Sequence, residues 1–310
     1  MLYEYAVEPK AIGASWENFR YLIEKFGFDR GRLISQFPGK WIQEVIEVAK
    51  QSGMRDVRYK SLIEKLQRAK REALIRSARK YDSETGDWLD NAIQQHFLEP
   101  FHGIIASENR GAKDFIIVTE DIIEETPLMV APIDWEVEQV GEVLAKAMSP
   151  LLKSAKKILF VDPYFDIREL RYKETLEASL SIVASSRSSG VQCEIHFRDH
   201  ETRPSTEYVI NRAHGWFLDV IPEGVTVRLF NRKQKMTGDS FHARFLLTDR
   251  GGMIVEAGFS SEGSHQKVLL KLLGFEYCQE KMAVFERDST VYDLVESIFE
   301  ISAGGKVRRI

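Results

Sequence analysis

From residue 134 onward, short apolar runs alternate with segments of helical periodicity, and this alternation restricts the possible folds more than any other feature of the sequence. Three of the apolar runs are ILFVDPYFD (158–166), VQCEIHFR (191–198) and VTVRLFN (225–231). The segments between them are long enough for helices of roughly 12 to 18 residues. Parallel strands joined by right-handed helical crossovers are therefore predicted. The expected fold class is α/β, with a mixed sheet flanked by helices.

A β-hairpin is predicted over residues 241–260, FHARFLLTDRGGMIVEAGFS. The first strand covers 241–247 and the second covers 253–257. The Gly251-Gly252 pair between them can supply the positive φ angles of a tight turn.

Residues two apart in an extended strand share a face. His242 and Arg244 are therefore expected to project together, opposite Ala243, Phe245 and Leu247. Glu256 on the return strand can lie close to that pair. An imidazole, a guanidinium and a carboxylate together form a plausible pocket for a phosphate group.

The spacing His242-x-Arg244-x4-Asp249, followed by Glu256, Gly258 and Ser261, resembles the HxKx4D…GSxN signature of the phospholipase D-like phosphodiesterases. The similarity extends over about residues 134–300 and is greatest to bacterial nucleases that carry one copy of the motif. Two departures stand out. Arginine replaces the family lysine, and Phe-Ser-Ser follows Gly258 where the family has Ser-x-Asn.

The resemblance implies a metal-independent phosphodiesterase that needs no cofactor and forms a phosphohistidine intermediate. The implied catalytic residues are His242 as the nucleophile or the acid, Arg244, and Asp249 and Glu256 as orienting carboxylates. The implied phosphate-binding residues are Arg244, Ser260 and Ser261. Among the family's settings, a nuclease of a bacterial restriction or antiviral defence system fits best. Three roles stay open: catalysis, phosphate binding without turnover (including a dimerisation or assembly subunit), and a purely structural module.

A second histidine must protonate the leaving oxygen in this chemistry, and the chain has one good copy of the motif. The run His196-Phe197-Arg198 is the nearest second candidate, but Arg203 stands where an aspartate is expected. It is interpreted as a coincidence within a strand. The implied site is consequently shared across a homodimer.

The first hundred residues are predicted to be helical. Ser15 and Asp87 are suitable N-caps, and a long helix is expected over about 59–80. The division into domains is placed at 1–110 (helical) and 111–310 (phospholipase D-like).

Residues 55–80 contain ten Lys or Arg and three Asp or Glu. Such a helix could contact a nucleic-acid backbone, with DNA favoured, or a protein partner, or could be an ordinary solvated face. The candidate nucleic-acid contacts are Lys65, Arg68, Arg76 and Arg79.

Composition sets further bounds. The formal net charge of −4 argues against a uniformly basic surface, and the two cysteines lie in apolar runs without metal-ligand spacing. No metal site, signal peptide or apolar run long enough to cross a membrane is identified, so a cytoplasmic setting is expected.

The Asp162-Pro163-Tyr164-Phe165 segment is interpreted as a turn with both aromatic side chains packed, although ligands often bind at the carboxyl ends of such strands.

After Ser261, an apolar stripe over 268–273 predicts a helix, 275–285 a strand, and 290–301 a further helix.

Overall fold

The chain divides into two units, Met1–Ile133 and Asp134–Ile310. The computed structural model describes residues 1–123, 125–186, 190–236, 240–295 and 299–310. The division therefore falls later than the predicted boundary at residue 110, because the strand at Ile116–Val118 completes the sheet of the N-terminal unit.

The N-terminal unit is a parallel sheet covered by helices on both faces. Its strands, β1 to β5, are Tyr3–Val7, Arg32–Gln36, Leu74–Arg76, Gly103–Ala106 and Ile116–Val118, in the order β3-β2-β1-β4-β5. Its helices, α1 to α5, are Pro9–Gly13, Trp16–Ile23, Trp41–Gln51, Asp56–Glu72 and Trp88–Leu98.

The prediction of a helical domain over 1–110 was therefore wrong, because four short strands lie within that range and, together with β5, form a doubly wound α/β sheet. Alternate residues of β1 face opposite cores: Tyr5 and Val7 pack with α2, α3 and α4, whereas Ala6 packs toward α5. The predicted N-caps are confirmed, since Ser15 Oγ accepts from the Asn18 N–H at 3.1 Å and Asp87 Oδ1 from the Asp90 N–H at 3.0 Å.

The C-terminal unit is built on a single mixed sheet. Its strands are β6 (Asp134–Gln139), β7 (Lys157–Val161), β8 (Gln192–Arg198), β9 (Thr226–Gln234), β10 (Phe245–Thr248), β11 (Gly251–Val255), β12 (Gly263–Leu273), β13 (Tyr292–Leu294), β14 (Phe299–Ser302) and β15 (Lys306–Arg309). Its helices are α6 (Gly141–Ser154), α7 (Lys173–Ser186), α8 (Thr206–Phe217) and α9 (Phe275–Val284). The order is β15-β14-β9-β8-β7-β10-β11-β12-β6, and β13 pairs with β9.

The sheet combines two kinds of pairing. The strands β7, β8 and β9 are parallel and are connected through helices, as predicted. The strand β10 joins β7 in antiparallel register, with Phe245 opposite Val161, and β11, β12 and β6 continue antiparallel. A mixed α/β architecture is thus confirmed for this unit.

The hairpin formed by β10 and β11 is present but closes differently from the prediction. Neither Gly251 nor Gly252 has a positive φ angle. The Thr248 hydroxyl instead accepts hydrogen bonds from the Arg250 and Gly251 N–H groups. A Cβ at position 252 would lie 2.7 Å from Cys278 Sγ, so this glycine permits the close approach of α9.

The order of elements after Ser261 is also corrected. The stripe over 268–273 belongs to β12 because its buried residues alternate, and the predicted strand over 275–285 is α9. Of the predicted helix over 290–301, residues 292–294 and 299–302 form β13 and β14, and 296–298 lie outside the described residues.

Candidate functional site

The carboxyl ends of the parallel strands and the segment before β10 meet at one edge of the C-terminal sheet. His242 is exposed there, and its Nδ1 lies 2.9 Å from the Tyr164 hydroxyl oxygen. The two ring centroids are 6.4 Å apart. Tyr164 belongs to the loop that follows β7, which places the pair where open α/β sheets bind ligands.

Asp162 fixes the loop that carries Tyr164. Its carboxylate is 2% exposed and accepts hydrogen bonds from the Tyr164 N–H at 2.9 Å and the Phe259 N–H at 3.1 Å. Burial raises the pKa of this carboxyl, and the two backbone donors act in the opposite direction. Asp162 thereby connects the loop after β7 to the loop after β11.

The interpretation of Asp162-Pro163-Tyr164-Phe165 as a packed turn was half wrong. Phe165 is buried and contacts Tyr172, Phe197 and Trp216. Tyr164 instead lies at the site, because its backbone N–H is bound by Asp162 and its phenol contacts His242.

Gly258 lies against the Asp162 carboxylate. Its φ angle is +79°, and a Cβ at this position would lie 2.3 Å from Asp162 Oδ2. Gly258→Ala should lower the free energy of unfolding by about 2 kcal/mol or more, since a left-handed backbone and a clash with a buried oxygen both oppose the methyl group. Urea denaturation measures this change; an unchanged midpoint would show that the loop after β11 adapts freely.

Arg244 is held beside the imidazole by two contacts. Its Nη1 donates to the Glu256 carbonyl oxygen at 2.6 Å, and its Cζ lies 4.6 Å from the centroid of the Tyr164 ring. Its Nε is buried and has no hydrogen-bond partner within the part of the chain that the structure describes. A buried donor without a partner is costly, which is consistent with an anion bound at this point.

Two further arginines reach the same ring, and neither belongs to the motif from which the site residues were predicted. Arg198 ends β8, and its Cζ lies 5.6 Å from the Tyr164 centroid; Arg203 follows in the next loop at 5.9 Å. The available signal was their position, since the loop after β8 adjoins the loop after β7 in a parallel sheet.

Other candidate residues do not join His242. Asp249 lies at the opposite end of β10, where its Oδ1 accepts from the Lys156 and Lys157 N–H groups. The strand β10 has four residues, so at 3.3 Å per residue it separates Asp249 from the segment that carries His242 by about 13 Å. Asp249 therefore cannot orient the imidazole. Its role is to fix the start of β7.

The loop after β11 also departs from expectation. The Glu256 side chain is exposed, and its contact with Arg244 is made by the backbone carbonyl rather than the carboxylate. Ser260 is buried, and its hydroxyl accepts from Gln139 Nε2 at 3.2 Å, whereas the Ser261 N–H donates to the Arg171 carbonyl. Neither serine contacts Arg244 among the hydrogen bonds of the described residues.

Comparison with known proteins gives little similarity. No family model matches the sequence, and no curated protein matches it. Among solved structures, the chain is similar to the archaeal chromatin protein TrmBL2, described as showing a novel mode of DNA binding. The identity is 13%, the TM-score is 0.27, and the match covers 56% of this chain and 57% of that chain. This chain thus spans little more than half of that protein, and such a similarity is too low to indicate a function.

The predicted basic helix is shorter than expected, which changes the candidate nucleic-acid contacts. α4 ends at Glu72, so Arg76 lies in β3 and Arg79 lies beyond it. The Arg79 side chain is 5% exposed and pairs with Glu4, which gives it a structural role. Lys65 and Arg68 pair at the surface with Glu24 and Glu72, and Arg76 is exposed.

His196 is fully buried within β8, as expected for a strand residue outside the site. Its Nε2 lies 2.9 Å from Glu194 Oε2, and its ring stacks on Phe230 at 4.5 Å. Burial lowers the pKa of His196 to about 4, although Glu194 acts in the opposite direction.

The pKa of His196 predicts a loss of stability in acid. Because the folded-state pKa lies below the unfolded value of 6.5, the unfolded chain binds a proton that the folded chain excludes between pH 6.5 and about 4. Stability is fully present above that window and falls through it by about 3 kcal/mol for this group. Denaturation at a series of pH values should show a shallower acid dependence for His196→Gln than for the wild type; equal slopes would contradict the assignment.

No helix of the described residues is both long and apolar enough to cross a membrane. In the same residues, no group of three or more His, Cys, Asp or Glu side chains is placed to hold a metal ion.

Proposed function

We propose that the C-terminal unit is a phosphodiesterase, namely a nuclease, with His242 as its nucleophile. The observation that carries this proposal is the exposed imidazole whose Nδ1 is engaged by the Tyr164 hydroxyl. This contact leaves Nε2 directed away from Tyr164 and available to a phosphorus atom. Arg244, with a buried unpartnered Nε, is positioned beside it to bind the phosphate oxygens.

The reaction consists of two displacements. The Nε2 lone pair attacks phosphorus, a P–N bond forms, and the P–O bond to the leaving group breaks. The imidazolium of His242 in a second copy of the chain donates a proton to the departing oxygen. Water then attacks phosphorus, the P–N bond breaks, and the second imidazole accepts the proton from water. Arg244 stabilises the charge on the oxygens throughout, so the scheme uses no metal ion.

Tyr164 is proposed to select the imidazole tautomer. If the hydroxyl accepts a hydrogen bond from Nδ1–H, the lone pair of the neutral ring is on Nε2, as nucleophilic attack requires. In this scheme the phenol has the orienting role that the resemblance implies for the carboxylates of Asp249 and Glu256.

Tyr164→Phe should therefore lower kcat by about tenfold to a hundredfold while leaving KM within about twofold, since an orienting contact is lost but phosphate ligands remain. Steady-state kinetics on a chromogenic diester measures both parameters. Glu256→Gln is the matched comparison; a larger loss from Glu256→Gln than from Tyr164→Phe would return the orienting role to the carboxylate.

The direct test is hydrolysis of single-stranded and duplex DNA in excess EDTA, followed by acid quenching to trap labelled phosphoenzyme. Cleavage in EDTA with label on His242 is the expected result. One chain has a mass of 35.7 kDa, and light scattering should give twice that mass. A strict monomer that cleaves DNA would overturn the shared-site scheme.

A second candidate is phosphate binding without turnover. It is favoured by the contacts of Glu256, whose carbonyl rather than carboxylate faces Arg244, and by the arginine that replaces the family lysine. Guanidinium binds two phosphate oxygens well but cannot be placed as a point charge. DNA binding without cleavage or phosphoenzyme would support this candidate.

The setting of a bacterial restriction or antiviral defence nuclease follows from the resemblance alone and is part of the proposal. A reducing cytoplasm would keep Cys193 and Cys278 as the free, buried thiols that the structure contains. DNA cleavage by cell extracts with and without the protein would test the setting.

A further inference from the structure

Three guanidinium groups converge on the Tyr164 ring from different segments of the chain. Arg244 precedes β10, Arg198 ends β8, and Arg203 lies in the loop that follows. Their Cζ atoms lie 4.6, 5.6 and 5.9 Å from the ring centroid. Three cations around one ring repel one another unless anions lie near them.

The protein supplies few anions to this cluster. Asp166 accepts two short bonds from Arg168, and Arg203 Nη1 reaches the same carboxylate at 3.2 Å. The Asp162 carboxyl is buried, is bound by backbone N–H groups, and has a raised pKa. The cluster therefore has more positive than negative charge.

Of these three arginines, Arg198 has the fewest partners for its guanidinium group. It forms no ion pair with any described residue, and its Nε is buried without a hydrogen-bond partner among them. Arg244 Nε is in the same condition. Two buried donors on separate arginines indicate two places for anionic oxygens rather than one.

We propose that Arg198 and Arg203 form a second phosphate subsite next to the one at His242 and Arg244. This inference rests on the proposed function and deepens it: the substrate is a polynucleotide strand whose scissile phosphate lies at His242 while a neighbouring phosphate lies between Arg198 and Arg203. A diester with a single phosphate, such as a lipid headgroup, would leave the second subsite empty. Guanidinium groups of both subsites lie against the Tyr164 ring.

The test compares a diester with one phosphate, bis(p-nitrophenyl) phosphate, with a short fluorescent oligothymidylate. Arg198→Gln should raise KM for the oligonucleotide by about tenfold or more, the value of one charge-assisted contact, and leave turnover of the small diester within about twofold. Arg198→Lys should weaken oligonucleotide binding by an intermediate amount, because lysine keeps the positive charge but lacks the paired N–H donors of the guanidinium. Arg203→Gln should reproduce the effect if Arg198→Gln does not fold.

A binding measurement separates this proposal from the catalytic one. In His242→Asn protein, anisotropy of the oligothymidylate should show weaker binding after Arg198→Gln, with the slope of log Kd against log salt reduced by about 0.7 to 1. Arg212→Gln is the matched control, since Arg212 is exposed on α8 and lies outside the cluster.

The outcomes are distinct. If wild-type protein cleaves nothing but Arg198→Gln still lowers affinity and salt slope, the catalytic proposal fails and the subsite is supported. Equal losses for the small diester and the oligonucleotide would show one subsite and overturn the inference. An Arg198→Gln protein that matches Arg212→Gln in every measurement would also overturn it.

Discussion

His242→Ala should abolish phosphodiester hydrolysis, lowering kcat by about a thousandfold or more, because the variant loses the nucleophile of one copy and the acid of the other. The fold should survive, since the imidazole is exposed and its hydrogen bond within the described part of the chain is to the Tyr164 hydroxyl. Initial rates on DNA in EDTA and acid-trapped phosphoenzyme are the measurements. His96→Gln in the N-terminal unit is the matched control and should retain wild-type rates.

Mixing the two proteins tests the shared site directly. When wild-type and His242→Ala chains are unfolded together and refolded, activity should fall with the square of the wild-type fraction, because only dimers with two imidazoles work. A linear decrease would show that each chain holds a complete site. Activity that persists in pure His242→Ala protein would place the chemistry elsewhere.

Asp162→Ala should lower the free energy of unfolding by about 2 to 5 kcal/mol. The substitution leaves the partly buried N–H group of Tyr164 and the buried N–H group of Phe259 without acceptors, at about 1 to 3 kcal/mol each, and opens a small cavity. Activity should fall as well, because Tyr164 loses its position. Urea denaturation and steady-state kinetics on the same samples measure both effects.

Asp219→Ala is the control for that experiment, since Asp219 is exposed and surface substitutions usually change stability by less than about 0.5 kcal/mol. Asp162→Asn should lose less stability than Asp162→Ala because the amide oxygen still accepts one of the two bonds. If Asp162→Ala were as stable as Asp219→Ala, the two loops would have to be held by other contacts.

The parallel half of the C-terminal sheet was predictable because β7, β8 and β9 are buried on both faces and appear as nearly continuous apolar runs. The N-terminal sheet was not, since its strands contain three to five residues. One of them, Leu74–Arg76, lies within a stretch whose helical pattern continued on either side. A short apolar run such as 268–273 satisfies both periodicities, so β12 was assigned to a helix.

The candidate site shows a similar limit. The pair His242 and Arg244 could be found because a local motif contains both. Asp249 was misplaced because motif spacing does not reveal that β10 separates it from the imidazole. Tyr164, Arg198 and Arg203 come from the ends of other strands, and only the pairing of β7 with β8 and β10 brings them together.

The pairing of β7 with β10 also has a consequence for how the protein acquires its site. This junction connects the parallel strands β7, β8 and β9 to the antiparallel strands β10, β11, β12 and β6, and it joins Val161 to Phe245 across a long stretch of chain. Contacts between residues so distant in sequence form slowly, because the entropy of closing the intervening chain is lost before the contacts stabilise the fold. Helical content should therefore recover during refolding before His242, Tyr164 and Arg244 come together, and a chain arrested before the two sets of strands join would be largely structured but would lack the candidate site.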